Sequence, residues 1–202
     1  MKEYIKIISV LAAITTPLVG ASNEELIING SFETGTPPRK GSYKLVSGSN
    51  VTGWTTTPSN WYMQSSFWGS GGPAGGGKML VNLNGTAPLS QSFSVNAGTE
   101  YTVSYFELRR GYGGRMDATL DLAGGTFTVF SRGKPVAVTA SSATRIVQTT
   151  AINNAWKLHS FKFIPNTTTT ATLTFRNHFK AGVLGDNDGV FVDLVRIVPH
   201  KP

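Results

Sequence analysis

Beyond residue 21, hydrophobic and polar positions alternate along most of the chain. Residues 100–108 read EYTVSYFEL, with Tyr101, Val103 and Tyr105 on one face and Thr102 and Ser104 on the other. Residues 170–177 (TATLTFRN) set Ala171, Leu173 and Phe175 against Thr172, Thr174 and Arg176. Residues 90–95 and 156–163 follow the same rule. A period of two sends successive side chains to opposite sides of an extended backbone, so each segment predicts a strand with one buried face. Further strands are predicted over 115–122, 125–130 and 145–150. Residues 189–198 (GVFVDLVRIV) are apolar on both faces, which predicts a central strand. Turn signals lie between these runs at Asn96-Ala97-Gly98, Gly111 to Gly114, Gly124-Gly125 and Pro165-Asn166. No segment after residue 21 carries a 3.6-residue period. Many short strands joined by turns predict an all-β antiparallel sandwich of jelly-roll type.

The first 21 residues break this pattern. Lys2 and Lys6 precede an apolar run over 7–19, and Val19-Gly20-Ala21 supplies small side chains where a signal peptidase cleaves. That is the layout of a secretory signal peptide. The run is too short for a membrane anchor, which needs about 20 apolar residues. The expected organisation is a leader at 1–21 and one sandwich domain at 22–202, secreted or periplasmic, with no membrane span. There is no Cys among the 202 residues. This excludes disulfide scaffolds, thiol nucleophiles and Cys-ligated zinc, and an exported chain without Cys fits a bacterial envelope. Only 14% of residues are charged, which disfavours helical bundles, and the net charge is +7. Residues 69–77 (GSGGPAGGG) read as a long surface loop within the domain.

Several short motifs then follow in a fixed order. Leu26-Ile27-Ile28-Asn29-Gly30-Ser31-Phe32-Glu33 comes first, then Val51-Thr52-Gly53-Trp54, then residues 77–85 (GKMLVNLNG) and 89–93 (LSQSF). Residues 97–105 (AGTEYTVSY) follow, and the series closes on residues 189–195 (GVFVDLV). This order resembles the exported and cell-wall proteins of domain of unknown function family 642, and more broadly the galactose-binding-like β-sandwich carbohydrate-binding modules. The last motif has Leu194 after Asp193 where the family favours a second Asn or Asp. The resemblance implies a jelly roll, an extracellular setting and polysaccharide binding without catalysis.

The resemblance also implies a structural calcium ion. Related sandwiches bring a Glu placed like Glu33 and an Asp placed like Asp193 together with backbone carbonyls around calcium. Calcium takes six to eight hard oxygens, which two carboxylates, carbonyls and water supply. Asp193 stands in one row with Phe191, Val195 and Ile197, where an uncompensated charge is expensive. The alternative is that both acids pair with Arg or accept backbone N–H bonds.

For a sugar ligand, aromatic rings match the C–H face of a pyranose and polar groups fix its hydroxyls. Trp61, Tyr62 and Trp68 flank the Gly-rich loop, and Arg109 and Tyr112 lie in an Arg/Tyr/Gly turn after a strand. These five are the candidate ligand residues, and the basic charge favours an acidic polysaccharide. Trp54 and Trp156 read as core. Export makes nucleic acid a poor partner.

A second reading is a small polysaccharide lyase or glycosidase using Glu107, Arg109, Tyr112 and His178, with Asp117 or Asp121 as the second carboxylate. His159 reads as a strand residue on the polar face. No metal-binding His spacing, G-x-S-x-G elbow or phosphate loop occurs. A third reading is a structural or adhesive surface protein.

Overall fold

The computed structural model describes residues 25–46, 50–56, 60–67, 71–84, 86–110, 116–131, 134–139, 144–149, 155–178 and 189–200, with side chains of 131–149 excepted. The leader, Trp68, Tyr112 and the rest of 111–115 lie outside these residues. Among the described residues there is no helix, and the strands form two antiparallel sheets. The larger sheet runs in the order β1 (Tyr43–Leu45), β3 (Trp61–Gln64), β4 (Met79–Leu83), β13 (Gly189–His200), β6 (Glu100–Arg110), β11 (Lys157–Pro165), β8 (Thr126–Ser131), β9 (Lys134–Thr139). The smaller runs β10 (Thr144–Thr149), β7 (Met116–Leu122), β12 (Thr169–Asn177), β5 (Leu89–Val95), β2 (Thr55–Thr56). The sandwich expected from the alternation is therefore present, and β13 is central as its two-sided apolar pattern predicts.

One buried cluster fills the space between the sheets. Tyr101, Val103 and Tyr105 from β6 meet Ala171, Leu173 and Phe175 from β12, with Trp54 among them. Tyr105 and Phe175 touch edge to face at 4.8 Å, which joins the two layers. The outward side of the smaller sheet is the polar half of the alternation. Ser90, Ser92 and Ser94 of β5 stand opposite Thr174, Thr172 and Thr170 of β12. A hydroxyl–hydroxyl bond of 2.9 Å links Ser92 to Thr172. The outward side of the larger sheet differs. Met63, Leu80, Leu108 and Phe191 form a second apolar cluster there, with Phe67 and Trp156 packed on it. The loop over 71–77 lies on this side, since the Trp156 indole N–H donates to the Gly71 carbonyl at 3.0 Å.

Two local features correct the sequence reading. Residues 27–32, whose apolar run up to Glu33 reads as a short strand, form turns instead. Asn29 takes φ +55°, and its side chain bonds the Thr34 N–H at 2.8 Å, the Thr34 carbonyl at 2.6 Å and the Thr52 carbonyl at 3.1 Å. Asn is among the few residues that accept this left-handed conformation and satisfy the backbone with their own side chain. The second feature is a bulge in β13. Its pairing with β6 skips between Asp193 and Arg196, and Leu194 sits at φ +50°. The extra residue shifts the alternation. Asp193 therefore shares the outward side with Phe191, while Val195 and Ile197 join the inter-sheet core, so the single row expected for these four is divided.

The N-terminal segment docks on the bulged strand. The Leu26 N–H donates to Ile197 and the Val195 N–H to Gly30, each at 2.9 Å. A Cβ on Gly30 would overlap the Val195 carbonyl oxygen, a rigid backbone atom. Gly30→Ala is expected to lower stability by about 3 kcal/mol, read as a shift in the denaturation midpoint.

Candidate functional site

Docking of residues 26–33 along β13 carries Glu33 towards Asp193 under the Gly-rich loop. Glu33 Oε1 accepts the Lys78 N–H at 2.8 Å and the Met79 N–H at 2.6 Å. Asp193 is fully buried, and its Oδ1 accepts the Leu194 N–H at 2.7 Å. Its Oδ2 has no hydrogen-bond partner. Burial pushes the Asp193 carboxyl up to about 8, the Leu194 N–H opposes this, and the charge of Glu33 adds to it. Two consecutive glycines fit between the acids. A Cβ on Gly76 would strike Asp193 Oδ2, and one on Gly77, at φ +79°, would strike the Glu33 carboxyl. The loop backbone thus comes close to both carboxylates, as backbone carbonyl ligands must.

The orphaned buried oxygen of Asp193 fits a cation, because an unpaired charge there is otherwise unstable. Among the described residues no three His, Cys, Asp or Glu side chains converge. Any further ligands would be carbonyls and water, which calcium accepts.

The candidate sugar residues separate. Trp61 lies on the outward side of the larger sheet, where Tyr43 stacks on it at 4.1 Å and 15°. Trp61 is 8% exposed and Tyr43 44%, so Tyr43 presents the ring surface that Trp61 supports. Tyr43 was not visible as a candidate in its short polar surroundings; its register with Met63 across β1 and β3 places it. Tyr62 points the opposite way, into the core. Its hydroxyl donates to the Phe32 carbonyl at 2.7 Å, and burial with the nearby Glu33 charge pushes it up to about 12. Arg109 is also a correction: β6 extends through Arg110, so Arg109 is a buried strand residue rather than a turn residue. Trp54 is core as expected, and Trp156 is partly buried against the outer cluster.

A polar group sits inside the sandwich. Glu107 is fully buried and its Oε2 lies 2.7 Å from His159 Nε2. His159 therefore faces inward, stacked on Tyr105 at 5.2 Å, not outward as its polar neighbours suggested. Burial lowers the Arg109 guanidinium, and the charge of Glu107 partly offsets this. Tyr105 is raised well above its usual range, by burial and then by Glu107. His178 Nε2 contacts Asp117 Oδ2 at 2.6 Å. Met116, Ala118 and Leu120 of β7 fill the core, so Asp117 and Asp121 lie on the other face of that strand, outside the sandwich. Glu107 and these acids are not brought face to face.

Comparison with known proteins adds the fold's relatives. The chain is similar to TmCBM61, solved in complex with β-1,4-galactotriose, with a TM-score of 0.53 and 18% identity over 86% of this chain and 97% of that one. It is also similar to the arabinose-bound MgGH51 α-L-arabinofuranosidase, with a TM-score of 0.52 and 11% identity over 88% of this chain. It spans only 26% of that enzyme's length. At such identities the likeness shows a shared β-sandwich fold. No curated protein matches. A family model described as "Protein of unknown function (DUF642)" matches residues 25–185, and the chain belongs to that family.

Proposed function

We propose that this protein is an exported, non-catalytic carbohydrate-binding protein whose ligand is a cell-wall or extracellular polysaccharide. The observation that carries this reading is the Tyr43–Trp61 stack on the outward side of the larger sheet. A flat ring, nearly half exposed and held by a second ring behind it, suits the C–H face of a sugar. Leu45, 47% exposed on the same short strand, extends the apolar surface. The fold shared with TmCBM61 is consistent with this use. The separation of Glu107 from Asp117 and Asp121 supports binding over glycosidic hydrolysis, which needs two carboxylates flanking one bond. Among the described residues no helix is long and apolar enough to cross a membrane.

Calcium held by Glu33 and Asp193 belongs to the same proposal. The ion would supply the positive charge that Asp193 Oδ2 lacks. Glu33 and Asp193 would hold the Gly-rich loop, the turn over 27–32 and β13 together.

A glycan array of neutral and acidic polysaccharides tests the role. Tyr43→Ala is expected to weaken the best ligand about tenfold with the melting temperature little changed. Silence of the wild-type protein across the array removes the reading.

A further inference from the structure

Beside Glu33, at the end of the β3–β4 ladder, lies a cleft of about 550 Å³. That is within the size range of small-ligand sites, roughly 300–1,000 Å³. Its walls are fixed by backbone. Gln64 pairs with Met79 in the ladder, and the Ser65 N–H donates to the Lys78 carbonyl at 2.8 Å. The Lys78 and Met79 amides in turn hold Glu33. Exposed Pro37 and buried Met79 give one apolar side, and Gln64, Ser65, Lys78 and Glu33 give polar ones. Among the described residues Lys78 makes no ion pair, and it is exposed.

We infer that this cleft binds a sugar residue bearing a carboxylate, a uronic acid unit, with Lys78 as its charge partner. The inference rests on the carbohydrate-binding reading and names a second site and a ligand class for it. The lining selects such a ligand for two reasons. Lys78, which makes no ion pair among the described residues, favours an anion. Glu33 accepts only, its Oε1 is taken by two amides, and its Oε2 keeps a lone pair beside the proposed calcium for a hydroxyl donor of the ligand. A simple carboxylate satisfies Lys78 but not Glu33, and a neutral sugar does the reverse. A uronic acid carries both groups on one ring, and its C–H face suits Pro37 and Met79.

Calorimetric titration of the full protein with trigalacturonate, with galactotriose and with acetate, in saturating calcium, tests this. Trigalacturonate should bind at least about tenfold tighter than galactotriose, and Lys78→Met should remove that preference with the melting temperature unchanged. Lys78→Met keeps the backbone amide that holds Glu33. Retention of the preference in Lys78→Met overturns the inference and leaves saccharide binding standing. Equal binding of the two trisaccharides, or of acetate and trigalacturonate, overturns it as well. Failure of the wild type to bind either saccharide here and any polysaccharide on the array overturns the inference together with the broader role.

Discussion

In the presence of a chelator, the protein should lose stability as pH rises from about 4 to about 8, and Asp193→Asn should abolish that loss. The sign follows from the raised carboxyl of Asp193, at about 8 in the folded chain. An unfolded Asp ionises near 4. Below that value both states hold the proton and the contribution is fully present. Between the two values the unfolded chain releases its proton and the folded chain keeps it, so stability falls by up to about 1.4 kcal/mol per pH unit. Above about 8 both states are ionised and the decline stops. Asparagine cannot ionise, so its profile should lack this slope. It keeps the oxygen that accepts the Leu194 N–H. On the calcium proposal, added calcium should reverse the trend in the wild type, because an ion held there would bind the ionised carboxylate and displace its proton. It should leave the Asn variant unaffected. Chemical denaturation at pH 5, 7 and 9, with chelator and with calcium, measures all of this. A wild-type protein indifferent to calcium at pH 9 removes the metal proposal.

Replacing Glu107 by Gln should cost about 3–5 kcal/mol, the usual penalty for stripping one member from a buried ion pair. The change preserves shape and removes only the charge that faces His159 and the buried Arg109. For a chain of this size the melting temperature should fall by roughly 10 °C. His159→Phe in the Gln variant should recover part of the loss, since it removes the polar ring left without its carboxylate partner and keeps a ring against Tyr105. A Glu107→Gln protein as stable as the wild type but unable to bind polysaccharide would instead make Glu107 a ligand contact.

These two groups mark how far the sequence could be read. The strands β5, β6, β7, β11 and β12 were legible because each carries a clean alternation that burial enforces. The central place of β13 was legible for the same reason, since a strand covered on both sides has no polar face to show. β1 and β3 were not, being only three and four residues long. Their aromatic residues divide between outside and inside by register alone, which is why Trp61 and Tyr62 were grouped and the structure parts them. The expected pairing of Glu33 with Asp193 came from resemblance and not from local pattern, and the structure sets each acid beside one of two consecutive glycines. Its physical basis, the bulge at Leu194 and the turn at Asn29, consists of positive φ angles at residues that give little notice of them. His159 was misplaced because an inward polar residue looks like an outward one until its buried partner, 52 positions earlier at Glu107, is known.

The contrast between the two broad sides of the sandwich has a consequence for how the molecule would sit on a surface. One side offers rings and aliphatic carbon; the other, among the described residues, is serine and threonine with Asp117, Asp121 and Arg176, which water wets readily. A protein lying on a polymer through Tyr43 would turn the hydroxyl side to the medium. Anchored copies would then show their neighbours a hydrated coat with little tendency to stick, and coverage could grow as a monolayer without clumping.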